Sequence, residues 1–130
     1  MSQSQIIFSE SMEQQQNGPV NMLKVVNPIL QINVPFLPTN YSFSMVALTS
    51  GIDFGKNHII ELKVENPDGK VLYSTGQQQI PPLPNTDNLN FNIDLKNIVF
   101  ETAGSYKGRL IIDNQEATTN DLLVIKKSMV

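Results

Sequence analysis

The sequence predicts an all-β fold, a single antiparallel immunoglobulin-like β-sandwich of about seven to nine strands. Apolar residues recur with period two along most of the chain, which is typical of strands that bury one face. Gly, Pro, Asn and Asp separate these short segments, and no long window repeats apolar residues at helical spacing. A length of 130 residues indicates one domain, residues 1–130, large enough to bury a core without disulfides or metals.

The first nineteen residues are expected to lie at the periphery of this domain. Residues 5–9 alternate as a short strand, which we expect at the edge of a sheet. Residues 11–19, SMEQQQNGP, are mostly polar and are predicted to form a loop.

Residues 21–34 are predicted to form two strand pieces that are broken at Asn27-Pro28. Proline has no N–H to donate to a ladder, and the residue before it prefers an extended shape, so a bend or bulge is expected there. Three residues of the second piece are expected to face inward: Leu30, Ile32 and Val34. Residues 35–38, PFLP, then form a rigid apolar turn.

The central part of the chain contains the clearest hairpin signal. Residues 58–65 alternate cleanly, residues 71–74 return, and the NPDG sequence at 66–69 suits a tight turn. Further strands are expected at 41–49, 89–95 and 121–126. Two longer stretches are expected to lie outside the strands: a connection at 76–86 and a turn at 113–120.

The segment ETAGSYKGRLIID, residues 101–113, indicates a tyrosine corner. In this element a Tyr near the start of a late strand buries its ring and returns its hydroxyl to backbone upstream. Gly104 is expected to take a positive φ at the entry turn. Three residues of the segment are expected in the core: Tyr106, Leu110 and Ile112. Lys107 and Arg109 form an outward row.

Three stretches together resemble a family of small uncharacterised β-sandwich proteins of bacteria and their phages. They are PFLPTNYSFSMVAL, HIIELKVENPDGKVLY and FETAGSYKGRLIIDNQE, within a resemblance that covers roughly residues 20 to 125. Its members share a PDGK hairpin and a late F-x-x-x-G-x-Y strand. The resemblance implies a bacterial or phage origin and the fold, and it carries over no functional residue, because a fold does not determine an activity.

The composition argues against several classes of function. The net charge is -3 and the longest basic run is Lys126-Lys127, so neither nucleic acid nor an anionic membrane is an expected partner. There is no cysteine, which removes thiol chemistry and thiolate metal sites. The N-terminus has no basic start followed by an apolar run, and we expect a cytoplasmic protein without a cofactor.

His58 is the only histidine, and Asp53 in the preceding loop could orient it as a general base. Because no nucleophile accompanies the pair, we favour a solvated histidine and expect no enzyme. A zinc site would have to depend on carboxylates, which is unusual.

Oxygen-bearing side chains gather at the predicted turn near residues 113–121: Asp113, Asn114, Glu116, Asn120 and Asp121. Such a turn could hold Ca²⁺. Asn and Asp also build turns by bonding their own backbone, and the spacing matches no D-x-D-x-D-G pattern, so the structural interpretation is favoured.

The best local candidate for a partner contact is the IPPLP segment: Ile80, Pro81, Pro82, Leu83 and Pro84. It can adopt polyproline II and dock on an aromatic groove. A stiff crossover between the two sheets is the favoured alternative. Lys107, Arg109 and the turn at 35–38 are further candidates.

The sequence therefore favours a non-enzymatic protein that contacts a protein partner through loops or a sheet edge. Pairing of exposed edges with themselves makes a homodimer a second expectation. A carbohydrate-binding module or virion accessory domain is the alternative. It would need a row of exposed aromatics, whereas most aromatics here fall on inward positions.

Overall fold

A computed structural model of the chain describes residues 2–17 and 20–127, with side chains at 2–13 and 24–127. This part contains ten strands and no helix. The strands are β1 (Gln3–Asn17), β2 (Val20–Ile29), β3 (Gln31–Val34), β4 (Thr39–Ser50), β5 (His58–Glu65), β6 (Val71–Ser74), β7 (Gln78–Ile80), β8 (Asn88–Phe100), β9 (Gly104–Ile112) and β10 (Gln115–Lys126).

The strands form two sheets, which confirms the predicted β-sandwich. The first sheet has the order β2-β1-β4-β8, and the second has the order β3-β10-β9-β5-β6, with β7 paired to the start of β5. The ten strands exceed the predicted seven to nine because β7 lies in the stretch 76–86, which was expected to contain no strand. The described strands pair antiparallel, as predicted, apart from β3, which runs parallel to β10.

The N-terminal segment is more ordered than its composition predicts. The predicted polar loop at 11–19 is wrong over 11–17, which continue β1 and pair with β2; residues 18 and 19 lie outside the described residues. The cross-strand hydrogen bonds satisfy the backbone whatever the side chains are, so a Gln-rich segment can remain a strand. Ile6 and Phe8 are buried in the core, so β1 is not merely peripheral.

The predicted break at Asn27-Pro28 is a local irregularity and does not end the strand. Asn27 takes a φ of 55°, in keeping with the bend or bulge expected there, and β2 continues to Ile29. The chain instead changes sheets at Leu30, whose side chain is 73% exposed rather than inward. Ile32 and Val34, after the change, face the core as predicted.

The predicted hairpin over 58–74 is confirmed. β5 and β6 pair antiparallel, and β5 alternates between half-buried and buried residues. At the turn the Gly69 N–H donates to the Asn66 carbonyl oxygen over 2.9 Å. The turn residues therefore satisfy their own backbone, as the NPDG sequence predicts.

The turn that was predicted over residues 113–120 consists of only two residues, Asp113 and Asn114. Asp113 and Asn114 have φ values of 52° and 64°, the pattern of a tight hairpin turn, and β10 begins at Gln115. The rest of the polar stretch pairs with β9, with an irregularity between Glu116 and Thr118. Similarly, the connection at 76–86 contains the short strand β7.

The tyrosine corner has the geometry that the sequence predicts. The Tyr106 ring is 1% exposed and its centroid lies 4.7 Å from that of Phe100. Its hydroxyl donates to the Thr102 carbonyl oxygen over 2.7 Å. Gly104 starts β9 with a φ of 141°.

The core lies between the sheets, and Gly108 leaves room for side chains of the first sheet to pack against β9. A Cβ at Gly108 of β9 would lie 2.8 Å from the Phe8 ring and 2.9 Å from the Met45 sulfur. Two further residues of β9, Leu110 and Ile112, are buried as expected. Among the described residues no helix has the length and apolar character that crossing a bilayer requires.

Candidate functional site

His58 lies where three segments meet: the 51–57 loop, the start of β5 and the β9–β10 turn. Its Nδ1 atom is 2.7 Å from a carboxylate oxygen of Asp113. Its Nε2 atom is 2.7 Å from the backbone oxygen of Asp53. The ring also meets the edge of Phe54, with centroids 5.3 Å apart. Asp53 therefore contacts the ring through its backbone, not through the carboxylate considered in the sequence.

Both ring nitrogens of His58 face acceptors, which favours the doubly protonated imidazolium. The hydrogen bond to the Asp53 carbonyl, aided by Asp113, raises the pKa of His58 above its ordinary value. The Asp113 carboxylate also accepts the Ile59 N–H, and this bond, with His58, lowers the pKa of Asp113. The arrangement is an ion pair that ties the loop to the hairpin, and its geometry leaves neither nitrogen directed at a substrate.

The oxygen-bearing residues of 113–121 do not converge. They are spread along the β9–β10 turn and along β10, because most of the predicted turn is strand. The Asp113 carboxylate is occupied by His58 and Ile59, and Asn114 accepts a hydrogen bond from Gln77. Within the described ranges, no three His, Cys, Asp or Glu side chains gather as metal ligands would.

The IPPLP segment connects the sheets, since β7 belongs to the second sheet and β8 to the first. Its backbone is held by the Leu83 N–H, which donates to the Phe54 carbonyl oxygen over 2.6 Å. Ile80 and Leu83 are half-buried, and the exposed groups are its three proline rings: Pro81, Pro82 and Pro84.

Lys107 and Arg109 lie on the outer face of the second sheet. Arg109 donates from Nε to a Glu65 oxygen over 2.8 Å, and its Nη1 donates to Glu116. Lys107 pairs in register with Asp121 on β10 and Glu65 on β5. The basic side chains of Lys107 and Arg109 thus lie among acidic residues of neighbouring strands of the same chain.

The β3 edge, residues 30–36, overlaps the turn at 35–38 that the sequence offered as a candidate contact, but sequence reasoning missed Leu30 and β3 itself. Leu30 and Phe36, at its two ends, are 73% and 60% exposed, the largest values among the exposed large apolar residues of the described chain. Within that part of the chain, β3 pairs with β10 alone. Leu123 of β10 donates its N–H to the Leu30 carbonyl, and its own side chain is 39% exposed.

A signal for this surface was present in the sequence. The stretch LQINVPF carries no charged residue, although charged residues are the usual protection of a sheet edge. The alternation of apolar residues gave no sign of this exposure, because Leu30 lies at the same alternate positions as the buried Ile32 and Val34. Leu30 is exposed because the chain changes sheets at that residue.

Comparison with solved structures gives likenesses in fold. A β-glucosidase from Listeria innocua, solved in complex with isofagomine, aligns with 99% of this chain at 8% identity and a TM-score of 0.51. The chain corresponds to 17% of the length of that enzyme. An immunoglobulin-like protein from Pseudomonas aeruginosa aligns over 92% of this chain and 96% of its own, with 13% identity and a TM-score of 0.43.

At these identities the glucosidase likeness concerns the fold alone. A search among curated proteins yields no match to the chain. A family model does match, over residues 5–125, and its description is "Family of unknown function (DUF6941)". This match includes β4, the β5–β6 hairpin and the β9 tyrosine corner, and the chain therefore belongs to that family.

Proposed function

We propose that this chain is a non-enzymatic protein-interaction module of a bacterium or phage, and that it binds an extended segment of a protein partner along the β3 edge. The observation that carries the proposal is the exposure of Leu30 and Phe36 at the two ends of an edge strand. An unpaired edge offers backbone donors and acceptors to an added strand, and exposed apolar side chains supply contact area.

Among the described strands, none pairs with the side of β3 that faces away from β10. The carbonyls of Leu30 and Val34 accept hydrogen bonds from Leu123 and Lys127 of the β10 side. Because backbone groups alternate in direction along a strand, Gln31 and Asn33 direct their N–H and C=O groups away from β10. Their side chains are exposed and joined by a 2.9 Å hydrogen bond.

The two surfaces that the sequence favoured support the proposal less well. The IPPLP segment keeps Ile80 and Leu83 against the body of the protein and presents mainly proline rings. Arg109 is already engaged by Glu65 and Glu116. A surface that must first break its own ion pairs gains little from a new one.

The expected partner segment is extended and free of charge, with apolar side chains that can cover Leu30 and Phe36. The alternative, a carbohydrate-binding module, would need a row of exposed aromatic side chains, and the described residues do not form one. All three Tyr and six Phe residues lie in the described part of the chain, and Phe36 is the exposed one.

Affinity capture from a bacterial lysate, with bound proteins identified by mass spectrometry, tests the proposal with a matched pair of variants. Asn33→Pro removes the outward N–H and should abolish capture. Asn33→Ala loses the same side chain but keeps the N–H, and it should retain capture. A third variant replaces residues 80–84 by Gly and Ser. Capture that is lost with this loop variant and kept in Asn33→Pro would overturn the assignment to β3.

A further inference from the structure

Building on the proposed function, we infer that the segment that pairs with β3 is β3 of a second copy of this chain. The two strands run antiparallel about a two-fold axis at Asn33. The second sheets of the two copies then join into one continuous sheet. The inference identifies the partner and the register, which the proposed function leaves open.

The hydrogen bonds of this pairing follow from the direction of the free groups. With Asn33 opposite the same residue of the second copy, each donates its N–H to the other's carbonyl, as in the narrow pairs of antiparallel sheets. Gln31 then lies opposite Pro35, and its N–H reaches the Pro35 carbonyl. Pro35 has no N–H to return, so the ladder ends there.

The same register brings the exposed apolar side chains together. Leu30 lies three residues before Asn33 and Phe36 three residues after it, so each Leu30 meets the Phe36 of the other copy. Side chains directly opposite on one face of an antiparallel pair are in contact range. The two most exposed large apolar side chains, at 73% and 60%, would thus cover each other. A two-fold interface requires such self-complementarity.

The charges at the two ends of the β3 edge are complementary. At the Val34 end, Lys126 and Lys127 are exposed. Toward the Leu30 end lies the exposed Glu10, whose carboxylate accepts a 2.7 Å hydrogen bond from Asn27. An antiparallel approach places the basic end of each copy beside the acidic end of the other, whereas a parallel approach would place like ends together.

The interface is small. A four-residue strand with two flanking apolar side chains places it among weak or transient contacts, which bury less than about 1,200 Å². We therefore expect a reversible dimer whose population rises with concentration, with dissociation in the range of about 10 µM to about 1 mM.

Sedimentation velocity over about 10 µM to about 1 mM chain measures this equilibrium. Wild type and Asn33→Ala should shift from monomer to dimer, and Asn33→Pro should remain a monomer at every concentration. Leu30→Lys should also remain a monomer, and because this side chain is 73% exposed, its fold should not depend on the change. A thermal melt of each variant verifies folding. Leu30→Lys keeps the test decisive if Asn33→Pro does not fold.

Covalent trapping tests the register separately. The chain has no cysteine, so Asn33→Cys introduces a single thiol at the inferred axis. Facing residues of a narrow pair have Cα atoms about 5.5 Å apart, within the range of a disulfide. Mild oxidation should convert most of this variant to a linked dimer, whereas Thr119→Cys, on the outer face of β10, should remain mostly monomeric. Equal linkage of the two variants would overturn the register.

The two proposals fail in different ways. A wild-type protein that stays monomeric up to about 1 mM overturns the second-copy inference. If the same protein still captures another protein through Asn33, the proposed function stands. A dimer that Asn33→Pro and Leu30→Lys leave intact would place the contact elsewhere and overturn the inference.

Discussion

The Nδ1 atom of His58 lies 2.7 Å from a carboxylate oxygen of Asp113, 55 positions further along the chain. Around this contact, the Asp113 N–H donates to the Ile59 carbonyl over 2.8 Å, and the Ile59 N–H donates to the Asp113 carboxylate. A single acidic residue therefore anchors the β9–β10 turn to the start of β5. The ion pair completes a backbone contact that is already formed.

This contact should make stability depend on pH. Because the pKa of His58 is raised, its contribution is complete below the ordinary imidazole value and is lost as pH rises through the folded value. Because the pKa of Asp113 is lowered, its contribution is complete above the ordinary carboxyl value and is lost as pH falls through the folded value. The contact should thus stabilise the fold most between about pH 4 and about pH 6.5.

Urea unfolding of wild type and His58→Gln tests this expectation. Asp113 is 50% exposed, so the variant should lose only about 1 kcal/mol near pH 5.5, and less near pH 8.5. Asp113→Asn serves as the partner control and should reduce this pH dependence without removing it, because His58 keeps its hydrogen bond to the Asp53 carbonyl. A difference in unfolding free energy that stays constant with pH would show that folding leaves the pKa of His58 unshifted, and would contradict the expectation.

Tyr106→Phe should lower the free energy of unfolding by about 1 kcal/mol, because the Thr102 carbonyl loses its hydrogen-bond donor while the ring remains packed. Tyr73→Phe is the control. Its ring is half-buried at the rim of the core, and its hydroxyl makes no hydrogen bond to the described residues, so its loss should be smaller. Chemical denaturation measures both. If Tyr106→Phe leaves the free energy of unfolding nearly unchanged, the hydroxyl hydrogen bond of the tyrosine corner does not stabilise the fold.

Gly104→Ala should cost more than Gly69→Ala. Both glycines have positive φ, 141° and 87°, so both alanines incur backbone strain of about 1 kcal/mol or more. A Cβ at Gly104 would also lie 2.9 Å from the Pro67 Cγ, whereas Gly69 has open space around it. The steric term should add about 1–3 kcal/mol at Gly104, measurable by thermal unfolding. Equal losses would mean that Pro67 moves aside freely.

Local patterns predicted the parts of the fold that are made by neighbours in sequence. The β5–β6 hairpin follows from a clean alternation around NPDG, and the entry to β9 follows from Gly104 and Tyr106. These elements depend on turn chemistry and on which face of one strand is apolar, and both are written within a few residues.

Where periodicity was wrong, the cause was contact with a distant segment. Residues 11–17 are polar, yet β2 pairs with them and makes them strand. Asp53 was considered for its carboxylate, yet its backbone oxygen faces His58, and the carboxylate at the ring comes from Asp113. No local pattern reports a partner that lies 55 residues away.

By itself the sequence determined the sandwich class and the inward positions of Tyr106, Leu110 and Ile112, because burying alternate apolar side chains is the dominant local requirement of a strand. Tertiary structure alone decided the exposure of Leu30. The chain leaves one sheet and joins the other at that residue. The alternation of apolar residues therefore runs through Leu30, but neither described sheet covers its side chain. The candidate binding edge exists because of that change of sheet.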